Sequence, residues 1–164
     1  MSFFKIPNSR LGGTAGSPPS APVVTDAKRP TAAIFLSGLS AKEWSRLYSF
    51  GEIRAFSAGE VLVAEGESDD SFSIMTAGSA DVLVNGRAIG RIAEGSVFGE
   101  VAFFDRLPRS ATIRAAEAGS AAIFSRTAFD NLAAWEPVLA RRILLELGAA
   151  LALRLRAAER RATI

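Results

Sequence analysis

The sequence predicts a mainly β fold with flanking helices, an antiparallel jelly roll or β-roll closed by two C-terminal helices. Short apolar runs recur over 53–124 with turn residues between them, which is typical of many short antiparallel strands. The pair Asn85-Gly86 predicts a tight hairpin, because a type I′ turn needs positive φ at both central positions. Helical periodicity returns further along, so we expect helices at about 127–135 and 137–161.

The N-terminal region divides into two parts. Residues 1–31 are rich in Gly, Pro, Ser, Thr and Ala, and such a segment buries too little apolar surface to offset the entropy of ordering. We therefore predict a disordered leader over 1–31 and a folded domain over 32–164. The domain opens with a capping-box pattern in which Ser40 is the N-cap and Glu43 reaches back. We expect Gly51 to end the helix that follows.

Seven apolar runs form the predicted strands of the roll. Turn-forming pairs that contain glycine separate several of them. The sequence shows no internal repeat, so we predict a single β-roll rather than a series of repeated units. The predicted strands are 53–56, 61–64, 72–75, 82–84, 89–92, 111–115 and 121–124.

The last helix is apolar on two sides. Ile143, Leu147 and Leu155 belong to one row, and Leu145 and Leu153 belong to a second. A helix with two apolar sides needs two partners. We expect one partner to be the β-roll, and a second copy of the chain or another protein to be the other.

The composition excludes several classes of function. Histidine and cysteine are absent, which excludes Cys/His zinc sites, disulfides, cysteine nucleophiles and histidine-based triads. A carboxylate metal site or a Ser-Lys arrangement stays open by composition, but no residues are spaced to suggest either, so we expect no catalytic function, no metal and no cofactor. No apolar run is long enough to cross a bilayer, and the N-terminus lacks the pattern of a signal peptide. These features predict a cytoplasmic protein without a membrane span.

One stretch, 95–112, combines charged and apolar residues and interrupts the strand pattern. Glu100 and Arg109 are embedded there among apolar residues such as Phe98 and Phe103. If those apolar residues are buried, the charges beside them must be paired or must bind something charged. This stretch is therefore the candidate functional site.

The residue types in this stretch suit an anionic ligand. Gly99 allows close approach of the backbone, and Arg109 offers a rigid fork of donors for a phosphate. Ser110 adds a hydroxyl group beside the fork. The Glu100 carboxylate is an acceptor, so it suits a hydroxyl group of the ligand. Phosphate donors and a hydroxyl acceptor in one site predict a phosphorylated sugar.

The same stretch resembles the phosphate-binding cassette of the cyclic-nucleotide-binding domain family, which includes bacterial catabolite activator proteins, protein kinase A regulatory subunits and cyclic-nucleotide-gated channels. The resemblance rests on Phe-Gly-Glu at 98–100 and Pro-Arg-Ser-Ala-Thr at 108–112. Segments 56–60, 65–67 and 70–72 are similar to the first strands of that family. These motifs, found together and in this order along the chain, are far more specific to the family than Phe-Gly-Glu alone.

The resemblance covers about residues 33–161 and implies a role for each site residue. Glu100 would bind the ribose 2′-hydroxyl, Arg109 the cyclic phosphate, and Ser110 would support the phosphate. Backbone groups of the cassette, 98–112, would complete the cradle. The candidate ligand-binding residues are Phe98, Gly99, Glu100, Val101, Ala102, Arg109, Ser110 and Ala111.

The resemblance also implies a lid over the purine base from the final helix. The candidates are Arg141, Arg142 and Arg154, because a guanidinium stacks on a purine face. A solvated surface position is the alternative for each of them. Ser110 suits either cAMP or cGMP, and we favour cAMP because it is the commoner ligand in the family.

The predicted function is a stand-alone cyclic-nucleotide sensor that signals through a partner or a dimer by moving its last helix. Activator-type relatives continue into a helix-turn-helix, whereas this chain stops at Ile164, so no DNA-binding domain is expected. Two alternatives stay open: a ligand-free interaction or assembly scaffold on the same fold, and nucleic-acid binding through the arginines of the last helix. Glu146 and Glu159 on that helix favour a solvated surface over nucleic-acid binding.

Overall fold

The computed structural model describes residues 35–162, so the predicted leader, 1–31, lies outside the described residues. The described chain forms two four-stranded antiparallel sheets with helices beside them, which confirms the predicted fold class. The helices are α1 (Ala41–Tyr48), α2 (Glu100–Asp105), α3 (Arg126–Trp135) and α4 (Pro137–Ala162).

Each sheet contains strands from distant parts of the sequence. Sheet 1 has the order β1-β8-β3-β6, and sheet 2 has the order β2-β7-β4-β5. The short strand β6 was not predicted, because two apolar residues carry no periodic signal. The strands are β1 (Glu52–Phe56), β2 (Val61–Val63), β3 (Phe72–Ala77), β4 (Ala80–Val84), β5 (Arg87–Ile92), β6 (Val97–Phe98), β7 (Thr112–Ala115) and β8 (Gly119–Phe124).

Helix α1 begins as predicted and ends earlier. The Glu43 backbone N–H donates to Ser40 Oγ at 3.3 Å, and the Ser40 N–H donates to Glu43 Oε2 at 2.7 Å, which confirms the capping box. The helix ends at Tyr48, so the prediction that Gly51 ends it is wrong. A Cβ on Gly51 would lie 2.7 Å from the Phe124 ring, so close packing explains this glycine.

The β4–β5 hairpin has the predicted turn. Asn85 has φ of 49° and Gly86 has φ of 74°, as a turn with two left-handed residues requires. The two strands pair from Val84 opposite Arg87 to Ala80 opposite Ile92, with a shift of register between Val82 and Leu83.

Sheet 1 separates two hydrophobic clusters. Ile74 of β3 and Val97 of β6 belong to the cluster that also contains buried residues of α1, α3 and α4. Their neighbours Met75 and Phe98 belong to the other cluster, which lies between the two sheets. Because side chains alternate along a strand, β3 and β6 of sheet 1 are buried on both faces. The molecule therefore has three layers: helices, sheet 1 and sheet 2.

Polar contacts attach α1 to the two C-terminal helices. Arg142 of α4 donates through Nη1 to Glu43 Oε1 at 2.7 Å and through Nη2 to the Gly38 carbonyl at 3.1 Å. Arg46 forms an ion pair with Glu136 at 2.5 Å. In the same region, burial raises the pKa of Tyr48 to about 12. These polar contacts add to the packing of α1 in the hydrophobic cluster beneath sheet 1.

Helix α4 is buried only along its first half. Its buried residues include Ile143 and Leu147, whereas Leu155 is 62% exposed. The expectation that Leu155 shares their side is therefore wrong. Each step of four residues turns the row by about 40°, because an α-helix has 3.6 residues per turn. Over three such steps the row leaves the face that packs on the roll.

Candidate ligand-binding site

The cassette begins at a backbone position that only glycine suits. Strand β6 ends at Phe98, Gly99 has φ of 79°, and α2 follows at once. A Cβ on Gly99 would lie 2.7 Å from Arg109 Nη1 and 3.0 Å from the Ser71 carbonyl oxygen. The left-handed turn and the lack of a side chain bring α2 against the guanidinium of Arg109.

Arg109 is the centre of a buried hydrogen-bond network, with 5% of its surface exposed. Its Nη1 donates to the carbonyl oxygens of Ser71 and Gly99, each at 2.8 Å. Its Nη2 donates to Asp69 Oδ2 at 2.6 Å and to Ser71 Oγ at 2.9 Å. The guanidinium is therefore fixed in one orientation by the segment that precedes β3.

Asp69 is adapted to this role. Burial raises the pKa of its carboxyl group, but hydrogen bonds from Arg109 and from the Ser71 backbone outweigh that effect and hold the pKa below its usual value. The stabilising contact is therefore present above the unfolded pKa, near 3.8, and is lost as pH falls through the lower folded-state value.

Glu100, the first residue of α2, is fully buried. Its Oε1 accepts a hydrogen bond from Arg154 Nη1 of α4, and Arg154 Nη2 donates to the Val97 carbonyl at 2.5 Å. The far end of α4 is thus attached directly to the start of the cassette. No other pair of side chains among residues 35–162 forms an ion pair between α2 and α4.

A cavity of about 480 Å³ lies between the cassette, sheet 2 and the end of α4. This volume falls within the range of small-molecule sites. Apolar side chains of sheet 2, including Val63, Val82 and Ile113, form one wall. All eight candidate ligand-binding residues border the cavity: Phe98, Gly99, Glu100, Val101, Ala102, Arg109, Ser110 and Ala111.

Two polar atoms of the residues that line this cavity have no hydrogen-bond partner within the described part of the chain. They are the acceptor Glu100 Oε2 and the donor Arg109 Nε, and both are buried. Native proteins leave few buried polar atoms unpaired, because each costs about 1–3 kcal/mol. An acceptor and a donor beside one cavity suit a ligand that has a hydroxyl group and an anionic group.

Residues 53–134, half of the chain, match the model of the family described as cyclic nucleotide-binding domain. The chain belongs to the cyclic nucleotide-binding domain family. This family is a regulatory, non-catalytic fold. Among residues 35–162, no group of acidic side chains is arranged to hold a metal ion, and no helix has the length and apolar character to cross a membrane. The cytoplasmic location stays a prediction.

Curated relatives include kinase components. The chain is 33% identical over 98 residues to a cAMP-dependent protein kinase regulatory subunit of Debaryomyces hansenii, covering 59% of this chain and 22% of the relative. It is 36% identical over 95 residues to a cGMP-dependent protein kinase of Toxoplasma gondii, covering 57% of this chain and 10% of the relative. The chain therefore spans about a fifth or less of the length of these relatives.

A solved structure shares the fold over most of the chain. A cyclic nucleotide-binding domain from Methylobacillus flagellatus KT superposes with a TM-score of 0.69 at 28% identity. The match covers 75% of this chain and 72% of that one. The two sheets and the helical layer of this protein are thus the architecture of the family.

The structure separates the three lid candidates. Arg154 borders the cavity, whereas Arg142 is engaged with Glu43 in the helical layer. Arg141 does not border the cavity either. Two further arginines, Arg91 and Arg161, do border it, and neither was predicted as a site residue. Arg161 lies seven residues after Arg154, so the i, i+7 spacing of a helical face was the signal that could have found it.

The acceptors that hold Arg109 were not predicted from the sequence. Asp69 and Ser71 precede a predicted strand, and their type alone does not distinguish them from ordinary loop residues. Their role depends on the pairing of β3 with β6, which brings Ser73 opposite Phe98. This pairing is a long-range contact, so local sequence patterns do not contain it.

Proposed function

We propose that this cyclic nucleotide-binding domain is a sensor of a cyclic nucleotide, cAMP rather than cGMP. One observation carries the proposal: Glu100 Oε2 and Arg109 Nε, an unpaired buried acceptor and an unpaired buried donor, belong to residues that border the same cavity. A ribose 2′-hydroxyl donates to the first, and a cyclic phosphate accepts from the second. Similarity to the regulatory subunit of a cAMP-dependent kinase supports cAMP as the ligand. Because the chain is also similar to a cGMP-dependent kinase, cGMP is the nucleotide with which cAMP binding is compared.

The proposal includes movement of α4. Glu100 has two carboxylate oxygens, and Arg154 of α4 uses only Oε1. A ligand hydroxyl on Oε2 therefore orients the carboxylate without displacing Arg154. The ligand then favours the arrangement in which the end of α4 lies over the cavity. Arg154 is thus the proposed lid residue.

Isothermal titration calorimetry with cAMP, cGMP and 5′-AMP tests the proposal. We expect cAMP to bind most tightly and 5′-AMP, whose phosphate is not cyclised, to bind weakly. Hydrogen exchange across residues 137–161 is expected to slow near the end of α4 when cAMP is added. Absence of heat with both cyclic nucleotides would favour the ligand-free scaffold, and unchanged exchange with bound cAMP would exclude the coupling to α4.

We propose a second copy of the chain as the partner of α4. Leu144, Leu151 and Leu155 are partly or largely exposed and, with Gly148, follow the 4-3-4 spacing of a coiled-coil seam. A Cβ on Gly148 would meet no atom within 4 Å, so this side of the helix is open. A seam of this kind is self-complementary about a two-fold axis.

Sedimentation velocity tests the dimer. The wild-type protein is expected to sediment as a dimer, and Leu155→Glu as a monomer, because a carboxylate at the seam would be buried without a partner. The matched control is Leu153→Glu, which changes an exposed leucine on the opposite side of α4 and leaves the dimer intact. A monomeric wild type would favour a different protein as the partner.

A further inference from the structure

Arg126 connects the cassette to the helical layer. It is the first residue of α3, and its guanidinium carbon lies 4.2 Å from the centroid of the Phe103 ring. Its Nη2 also donates to the Phe103 carbonyl oxygen in the last turn of α2. Phe103 is fully buried and packs edge-on against Phe129 of α3 at 5.3 Å between ring centroids. One side chain therefore holds both the ring and the backbone at the end of α2.

The third contact of Arg126 is incomplete. Its Nε lies 4.0 Å from Asp70 Oδ2, which is beyond hydrogen-bond reach. The same Nε is buried and has no hydrogen-bond partner within residues 35–162. A shift of about 1 Å would bring the two atoms to the usual hydrogen-bond distance. A hydrogen bond across this gap would satisfy the buried donor.

Asp70 is adjacent to the residues that hold Arg109. Asp69 and Ser71 both accept hydrogen bonds from that guanidinium, so the three consecutive residues 69–71 contact Arg109 on one side and Arg126 on the other. A phosphate that accepts from Arg109 Nε binds the same guanidinium that donates through Nη2 to Asp69, so the phosphate and Asp69 share one cation. The position of residues 69–71 therefore depends on whether the phosphate is bound.

We propose that Arg126 is a positioning residue and that its contact with Asp70 is a two-state element between the cavity and the helical layer. The contact is open at 4.0 Å in this structure and closes by an Nε–H···Oδ2 hydrogen bond when a cyclic phosphate engages Arg109. Closure holds α2 against α3, and α3 carries the change to α4 through their packing. This inference rests on the proposed cyclic-nucleotide site.

Two single variants and their combination test the coupling. Asp70→Ala removes the acceptor and leaves both contacts of Arg126 with Phe103, so α2 remains attached; Arg126→Gln removes all three contacts. We expect Asp70→Ala to weaken cAMP binding about tenfold, within the usual range of coupling between sites. The double variant is expected to bind no more weakly than Arg126→Gln alone, because the two residues act through one contact.

Hydrogen exchange separates this role from a merely structural one. At saturating cAMP, wild type is expected to show slowed exchange at the end of α4, and Asp70→Ala is expected to lose most of that change while keeping its melting temperature without nucleotide. The matched controls are Asp130→Ala on the exposed side of α3 and Arg156→Gln on α4, which are expected to behave as wild type.

The outcomes distinguish this inference from the function on which it rests. If wild type binds cAMP and Asp70→Ala retains both the affinity and the slowed exchange, the coupling is overturned and the proposed function stands. Additive losses in the double variant would also overturn it. If wild type binds neither cyclic nucleotide, the proposed function itself is overturned, together with the coupling.

Discussion

Arg109→Ala is expected to lower the affinity for cAMP by about 100-fold or more. The buried guanidinium borders the cavity, and four hydrogen bonds from Nη1 and Nη2 fix its geometry and leave Nε for the ligand. Hydrogen bonds to a charged group contribute about 1.5–3 kcal/mol each, and the bond from Nε to a phosphate, which is charged on both sides, lies at the upper end, about 3 kcal/mol. At about 1.4 kcal/mol per tenfold this exceeds 100-fold. Isothermal titration calorimetry measures it.

Arg91→Ala is the matched control for this experiment. Arg91 borders the same cavity, but its side chain is 62% exposed and bonds to Ser79 and Asp81 at the surface. Its removal is expected to change affinity only a few-fold. Arg109 also holds Asp69 and Ser71, so its removal affects the fold as well as the ligand. The melting temperature of Arg109→Ala without nucleotide is therefore compared with that of Arg109→Lys, which retains the charge. Equal affinity of Arg109→Ala and wild type would exclude Arg109 as the phosphate ligand.

Glu100→Gln is expected to lower the affinity for cAMP by about 10- to 100-fold, the value of one charge-assisted hydrogen bond. The carboxylate has two acceptor oxygens, one for Arg154 and one for the ligand hydroxyl. Glutamine keeps the shape and has only one oxygen, so one of the two contacts is lost. Competition titration against a fluorescent cyclic nucleotide measures the change.

The nucleotide 2′-deoxy-cAMP is the control, because it retains the base and the cyclic phosphate and lacks the hydroxyl group. Wild type is expected to bind it about 10- to 100-fold more weakly than cAMP. Glu100→Gln is expected to bind cAMP and 2′-deoxy-cAMP about equally, within roughly threefold. An equal loss for both nucleotides would mean that Glu100 supports the fold or Arg154 rather than the ribose.

The parts of the fold that were predicted correctly are those with a local cause. The capping box at Ser40 and the positive φ of Asn85 and Gly86 follow from residue types a few positions apart. The cassette was recognisable for the same reason, because Gly99, Glu100 and Arg109 lie within one short stretch. Each of these features can be recognised from residues that lie close together in the sequence.

The parts that were missed depend on contacts between distant residues. Gly51 is required by the Phe124 ring, which lies more than seventy residues away in the sequence. The engagement of Arg154 with Glu100 depends on how far α4 turns before it passes the cavity. Arginines on one helix look equivalent in the sequence, and only the packing of that helix assigns Arg142 to α1 and Arg154 to the cassette.

Sheet 1 acts as a partition between two interiors. Ile74 borders the helical interior and Met75 borders the interior between the sheets, so neighbouring positions on one strand belong to different compartments. A substitution on this strand therefore acts on one interior at a time: a change at Ile74 alters packing against the helices, whereas a change at Met75 alters packing between the sheets.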